Sequence, residues 1–240
     1  MGYDAAAKEK NIMLLPGAGF DVVPTDCMAL RLKNKLPGAT HLKLAFASIG
    51  GSVSYGTAMT MVSKLGYGGA VRENGKIVKQ ALGKKGMWVD FGEKKLFVMS
   101  IPWGDVSTAY HTTGIPNIQL YTSIKPGIYR MLKLQGSFNW LLKMEWIKNI
   151  IRKKIKSRPA GPSDEMRSKA KSFVWGEVRN EKGDVVSDHF TCADGYTLTA
   201  HSCLIIAKKV LEKNFKVGYQ TPASCYGEEL VKEIPGTVEF

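Results

Sequence analysis

The stretch Ile12-Met13-Leu14-Leu15-Pro16-Gly17-Ala18-Gly19-Phe20-Asp21-Val22-Val23-Pro24-Thr25-Asp26 decides how the rest of the chain is read. Its first four residues form an apolar run with the length and character of a fully buried strand. Pro16, Gly17 and Gly19 break that run and predict a turn. Pro24 suits the first turn of a helix, where its missing N–H costs nothing. Thr25 and Asp26 fall in that first turn, and an acid there suits the positive helix end. From Cys27 the spacing is helical, with Met28, Leu32 and Leu36 on one face. The reading is strand, glycine turn, helix. In α/β folds, ligands bind in the crevice beyond the carboxyl ends of the strands.

The residues before this stretch, Met1 to Lys10, lack the apolar core of a signal peptide. They read as the tail of a helix, which makes the chain begin in mid-fold. After it, the logic repeats. Thr40 to Ala47 alternates, with Leu42, Leu44 and Phe46 on one side, and predicts a strand with one packed and one wetter face. Gly50-Gly51-Ser52-Val53-Ser54-Tyr55-Gly56-Thr57 follows, and residues 58–65 look helical. Two readings of this second glycine turn stand side by side. Its backbone amides, at a helix start, can hold an anion or oxyanion. Alternatively, the glycines only let the helix pack closely on the sheet.

Further along, residues 66–76 read as a loop. Residues 88–91 and 96–101 flank Gly92-Glu93-Lys94-Lys95 as a hairpin. Asp105 is placed to cap a segment running to Thr113, and residues 118–124 alternate as a strand. Residues 125–157 are the longest helical candidate, with Gly136 and Ser137 predicting a kink. After Pro159-Ala160-Gly161-Pro162 come a short helix at Ser163, strands at 173–178 and 185–190, and a helix opened by Asp194-Gly195-Tyr196. On that helix Thr199, Cys203, Ile206 and Val210 share a face, beside Ala200, Ala207 and Leu211, and the small residues predict close packing on a sheet. A final short helix starts at Gly227-Glu228. Strands and helices without strict alternation predict an α+β fold with a mixed or antiparallel sheet and flanking helices.

With 240 residues the chain can bury a substantial core as one or two domains. Its 44% hydrophobic and 23% charged content is that of a globular protein. No run is long and apolar enough to span a membrane. Cysteines at 27, 192, 203 and 225 form no C-x-x-C pair and read as reduced thiols of a cytoplasmic protein. The net charge of +13 is local, since residues 125–172 hold 13 of the 34 Lys/Arg but 3 of the 21 Asp/Glu. Trp140, Met144, Ile147, Ile151 and Ile155 form a stripe beside that charge. Three readings compete for 125–158: core with a solvated basic face, an anionic membrane surface that makes the protein peripheral, or an apolar groove for substrate or partner. No nucleic-acid-binding motif accompanies the charge.

The chemistry is thinner. A dinucleotide fingerprint needs G-x-G-x-x-G after a strand. Gly17 and Gly19 supply two glycines, but Val22 stands at the third position. His189 and Cys192 are too few for a zinc site, so no metal is expected. His41, His111 and His201 are scattered, and no nucleophile–base pair is readable.

Three blocks carry a resemblance. Residues 16–26, PGAGFDVVPTD, resemble the segment that closes the dinucleotide-binding domain in saccharopine dehydrogenase-like oxidoreductases. GGSVSYGT at 50–57 is similar to that family's Gly/Ser/Thr loop, and GYQTPASCYGEELV at 218–231 to its closing segment. The resemblance spans nearly the whole chain, but the family's glycine-rich phosphate loop has no counterpart. It implies a remnant of a Rossmann-like α/β domain at 1–36, comprising its last strand and helices. An α+β substrate and dimerisation domain then occupies 37–193, and C-terminal helices return to the Rossmann side over 194–240. It implies hydride transfer with NAD(P), held poorly by this chain alone, and a homodimer. Asp21, Asp26, Tyr55, Asp194 and Tyr196 become candidate acids or bases, and Gly17, Gly19, Phe20, Thr25, Gly50, Gly51, Ser54, Gly56 and Thr57 line the binding cleft between the two turns. The substrate is a small molecule, and the apolar, basic 125–158 segment fits an acyl or lipid-like anion. The alternative is a non-catalytic dimerising or membrane-surface module that keeps the fold.

Overall fold

The computed structural model describes residues 2–134 and 139–239. The chain begins with α1 (Asp4–Glu9), β1 (Met13–Leu14) and α2 (Val23–Lys35). Then come β2 (His41–Ile49), α3 (Tyr55–Ser63), β3 (Gly69–Glu73), β4 (Lys76–Gln80), β5 (Gly86–Asp90) and β6 (Lys95–Ile101). α4 (Asp105–Thr113) and β7 (Asn117–Ser123) lead into three short helices, α5 (Pro126–Lys133), α6 (Asn139–Leu142) and α7 (Glu145–Lys156). The last third holds α8 (Asp164–Lys169), β8 (Lys171–Arg179), β9 (Val185–Ala193), α9 (Gly195–Leu211), β10 (Gly218–Tyr219), α10 (Pro222–Tyr226), a 3-10 helix (Glu228–Glu233) and β11 (Val238–Glu239).

Among the described residues a nine-stranded mixed sheet runs β11-β9-β8-β2-β7-β3-β4, with β6 also on β7 and β5 on β6. β2 is its hinge of direction: it pairs parallel with β7, Leu44 opposite Leu120, and antiparallel with β8, Leu44 opposite Gly176. Each face carries a core. On one, Met28 and Leu32 of α2 pack with Leu42, Leu44, Leu120, Val174 and Val178, closed by Val106 and Ala109 of α4. On the other, Ala45, Ala47, Tyr121 and Phe173 pack under Val89, Phe91 and Val98 of the β5–β6 hairpin. β2 alternates toward its start and is packed on both faces toward its end, because that hairpin covers the face expected to be wet. β1 and β10 form a separate parallel pair.

The mixed α+β architecture with flanking helices is as expected, and four local readings are corrected. The run at 12–15 is half-buried, not fully buried, and Ile12 is exposed. β1 has one strand neighbour, and an open cavity of about 400 Å³ lies along Ile12, Met13, Leu15 and Val210. Residues 66–76 are not a loop throughout. Asn74 and Gly75, both with positive φ, turn a tight hairpin between β3 and β4. The helix over 125–157 is interrupted. Met144 is extended and α7 starts afresh at Glu145, whose acid suits the positive end. The stripe therefore splits: Ile155 is buried and Trp140 exposed. The kink at Gly136 and Ser137 lies outside the described residues. On α9 the buried positions are Leu198, Ser202 and Ile206, and Ala200, Cys203 and Ala207 face solvent. That helix turns its inner face to residues 18–20 as well as to the sheet, and this rotates the small side outward.

Candidate functional site

The first glycine turn is filled by the protein's own side chains. Gly17 has φ +111, and a Cβ there would stand 2.7 Å from Val22 Cγ2. A Cβ on Gly19 would stand 2.8 Å from Thr199 Cγ2. The backbone is tied to α9: Phe20 N–H donates to Thr199 Oγ1 at 3.0 Å, and Ser202 Oγ donates to the Ala18 carbonyl at 2.6 Å. Phe20 meets Phe46 of β2 edge-on with centroids 5.8 Å apart, and Phe46 meets Trp103 at 5.0 Å. The Trp103 indole N–H donates to the Asp21 carbonyl at 2.8 Å. The result is an aromatic wall beside Asp21, which is exposed yet crowded enough to raise its carboxyl pKa by desolvation.

The second turn is built differently. Ser54 caps α3, its Oγ accepting from Thr57 N–H at 3.3 Å. The Ser54 N–H donates to the Tyr196 hydroxyl oxygen at 2.7 Å, and Thr57 Oγ1 lies 3.4 Å from that oxygen. Burial by itself raises the Tyr196 pKa. The hydrogen bonds from Ser54 and Thr57 outweigh it and leave the phenol below its ordinary value. Asp194 is the N-cap of α9, its Oδ2 accepting from Tyr196 N–H at 3.1 Å and Thr197 N–H at 3.0 Å. A Cβ on Gly51 would meet Ala170 and lie 3.8 Å from Asp194 Oδ1. Gly50 has φ +81 and lies against Ala170. Gly56 has open space where its Cβ would be.

One helix end therefore holds both turns. The first turn of α9 meets Phe20 through Gly195 and Thr199, and Ser54 and Thr57 through Tyr196. Asp21, Phe20, Gly17 and Gly19 gather on one side, and Gly50, Gly51, Ser54, Thr57, Asp194 and Tyr196 on the other. Tyr55 is exposed, and its N–H donates to the Ala160 carbonyl at 2.8 Å. No hydrogen bond or ring contact joins its side chain to the group among the described residues.

Thr25 and Asp26 point elsewhere. Both are buried in the packing of α2 on α4 and α10. Asp26 accepts from Thr112 Oγ1 at 2.6 Å and from Ala223 N–H at 2.8 Å. Burial lifts its pKa to about 6, against those hydrogen bonds. Thr25 Oγ1 donates to Asp105 Oδ1 at 2.7 Å. Asp105 does not cap α4 through its side chain. It is the first residue of that helix, fully buried, with Oδ2 unpartnered, and burial raises its pKa well above the carboxylate range. Its apolar surroundings and the two neighbouring acids explain the difference from a solvated cap.

No family model and no curated protein sequence matches the chain. Among solved structures it is similar to apo histidine-tagged saccharopine dehydrogenase (L-Glu forming) from Saccharomyces cerevisiae, with a TM-score of 0.60 and 11% identity over 97% of this chain and 73% of that one. The chain has a saccharopine dehydrogenase-like fold. At that identity the shared property is the fold. On this fold Phe20 and Asp21 follow the carboxyl end of β1, and Tyr196 meets the Ser54 amide after the carboxyl end of β2.

The residues of the first turn do not fit a dinucleotide pyrophosphate. Val22 and Thr199 occupy the space that glycines would leave, and Phe20 N–H is already bonded. Of three cavities, the one along β1 reaches Ala18 of the first turn. One of about 590 Å³ is lined by Ala170, Cys192, Ala193, Thr197 and Val238, with Arg167 and Lys171 beside them. It touches the second turn through Ala170. Another, of about 570 Å³, lies over the starts of β2 and β7. None of the three is lined by both turns. No cluster of metal-ligating side chains occurs among the described residues.

The sequence pointed to Tyr196, Ser54 and Thr57, read Asp105 only as a cap, and missed the part of Phe46, Trp103 and Thr199. Trp103 meets Asp21 because β6 ends at Ile101 and the chain turns there into α4, a placement no local signal gives.

Proposed function

We propose that this chain provides the substrate-binding and dimerising part of a saccharopine dehydrogenase-like oxidoreductase. Its reaction is hydride transfer with NAD(P), whose phosphates are held somewhere other than the 16–26 turn. The observation that carries this reading is the Tyr196 hydroxyl, held by Ser54 and Thr57 at the helix end that also positions Phe20. A phenol with a lowered pKa can give or take a proton at a reacting heteroatom. Phe20, Phe46 and Trp103 shield one side from water. The nearby cavity, with apolar walls and Arg167 and Lys171 beside them, suits an acyl or lipid-like anion. Arg167 and Lys171 are paired with Asp164 and Glu93, and such exposed pairs are weak enough for a substrate carboxylate to exchange with. The domain division at 36 and 193 belongs to this proposal. So does a homodimer through the sheet, supported by Ile77 and Trp88 left exposed on β4 and β5.

The test is nicotinamide fluorescence with the chain joined to a dinucleotide-binding half, and a panel of acyl and amino-acid substrates. Turnover that Tyr196→Phe lowers by roughly 100-fold or more supports the proposal. Turnover untouched by that change overturns the role of Tyr196. The filled first turn favours a second reading, a non-catalytic module that keeps the fold, and absence of turnover with every substrate and both nucleotides selects it. A monomer in sedimentation at tens of micromolar, on the order of where a standard interface is saturated, rules out the dimer.

A further inference from the structure

α7 presents two different faces. Ile147, Lys148, Ile151 and Ile155 are half-buried or buried, and the helix packs on α3. Lys148 is 3% exposed, pairs with Glu145 at 3.2 Å and lies 5.1 Å over the Tyr67 ring, which anchors this side. On the opposite side Trp146 and Ile150 stand one turn apart, each 59% exposed, with Lys153 a turn further on. Trp140 of α6 is 62% exposed. A water-soluble surface does not gain by presenting large apolar side chains together on one short segment.

The charge around this face is equally one-sided. Lys153, Lys154, Lys156 and Arg158 have no acidic partner among the described residues. Glu145 is the one acid between Lys125 and Arg158, and it is engaged by Lys148 and Arg152. A face combining tryptophan, an aliphatic residue and unpaired cations matches the boundary between headgroups and acyl chains. Indoles favour that depth, and lysines reach anionic headgroups above it. The 12 residues of α7 are too few to cross a bilayer, so the helix lies along the surface. Nucleic acid would meet the cations but gives Ile150 no counterpart.

We propose that the outer face of α7, centred on Trp146 and Ile150 with Lys153 and Lys154, docks the protein on an anionic lipid bilayer. The docking stands apart from the oxidoreductase reading and holds or fails without it. It also has a geometric consequence. The segment after α7 returns to the site, where the Ala160 carbonyl accepts from Tyr55 N–H at 2.8 Å, so the docked face and the second glycine turn are mechanically continuous.

The experiment is co-flotation of the full chain with phosphatidylcholine vesicles, with and without phosphatidylserine, at low and high salt. Capture by the phosphatidylserine vesicles at low salt is expected, with strong loss at high salt. Trp146→Ser with Ile150→Ser should lower partitioning roughly tenfold and leave the melting temperature unchanged, because both side chains are exposed. Lys153→Glu with Lys154→Glu should lower it as well. No capture at low salt overturns the proposal. So does capture that the Trp146/Ile150 pair does not alter, or capture abolished by a stoichiometric oligonucleotide, which would assign the cations to nucleic acid.

Discussion

The two glycine turns look alike in sequence and are opposite in use. At 16–26 the glycines admit the protein's own side chains, Val22 into Gly17 and Thr199 onto Gly19. At 50–57 Gly56 has no atom within 4 Å of its absent Cβ, and Gly51 makes only ordinary contacts. The first turn is closed by packing and sends one of its two acids, Asp26, into the core. The second is open, and its hydroxyls and amide are organised around Tyr196. A glycine-rich turn after a strand is therefore not one kind of object. What approaches the missing side chain decides whether it is masonry or a site.

The largest effect expected from this contrast is electrostatic. Asp26 has its pKa raised from 3.8 to about 6 by burial. The folded state thus binds the Asp26 proton more readily than the unfolded state, and stability falls as pH rises from about 4 through about 6. The shift corresponds to about 3 kcal/mol at most. Denaturant unfolding across that window should show wild type losing stability relative to Asp26→Asn. Parallel curves would mean that Asp26 is solvated and the first turn is not closed.

Next come the glycines of that turn. Gly19→Ala should destabilise by about 1–3 kcal/mol, because the stiff β-branched Thr199 must move. Gly17→Ala should cost at least as much, since the positive φ adds strain. Thermal melts read both, and an unchanged melting temperature would break the comparison on its first side.

The links of the second turn to α9 should cost less. Tyr196→Phe removes the acceptor of Ser54 N–H, and Asp194→Ala removes the α9 cap. Each should lower stability by about 1 kcal/mol. The smallest effect sharpens the comparison most. Gly56→Ala should be neutral or stabilise by up to about 1 kcal/mol, as a helical glycine replaced by alanine does. If turnover falls in that variant while the melt does not, the open space at Gly56 is a ligand's.

Much of this was legible because it is local. The strand–turn–helix units, the hairpin at 88–101, the strands at 173–178 and 185–190 and the helix after Asp194 follow from periodicity and turn residues. Asp194 was read as opening a helix and caps it, whereas α3 begins at Tyr55 under a Ser54 cap, three residues before the helix read from spacing. The hairpin at Asn74-Gly75 was also written in the sequence, but its strands carry Arg72, Glu73, Lys76 and Lys79, and the charge masks the alternation. The partners of Asp26 and Asp105 were not legible. Thr112, Ala223 and Thr25 reach them across 86, 197 and 80 residues, and only the sheet order brings those helices together. The aromatic wall was hidden in the same way, since Phe46 sits on β2 and Trp103 in the turn after β6, 57 positions away in sequence.

The clasp at the start of α9 also sets a timetable for folding. Phe20 waits for a residue 179 positions later and Ser54 for one 142 positions later. At ribosomal rates that interval is on the order of ten seconds or more. Contacts of such long range form late and slowly. Through that time the sheet's first strands exist without the helix end that locks both turns. The arrangement of the two turns is thus a product of the finished chain, and nascent chains that end before Asp194 hold every glycine of the two turns and none of their clasp.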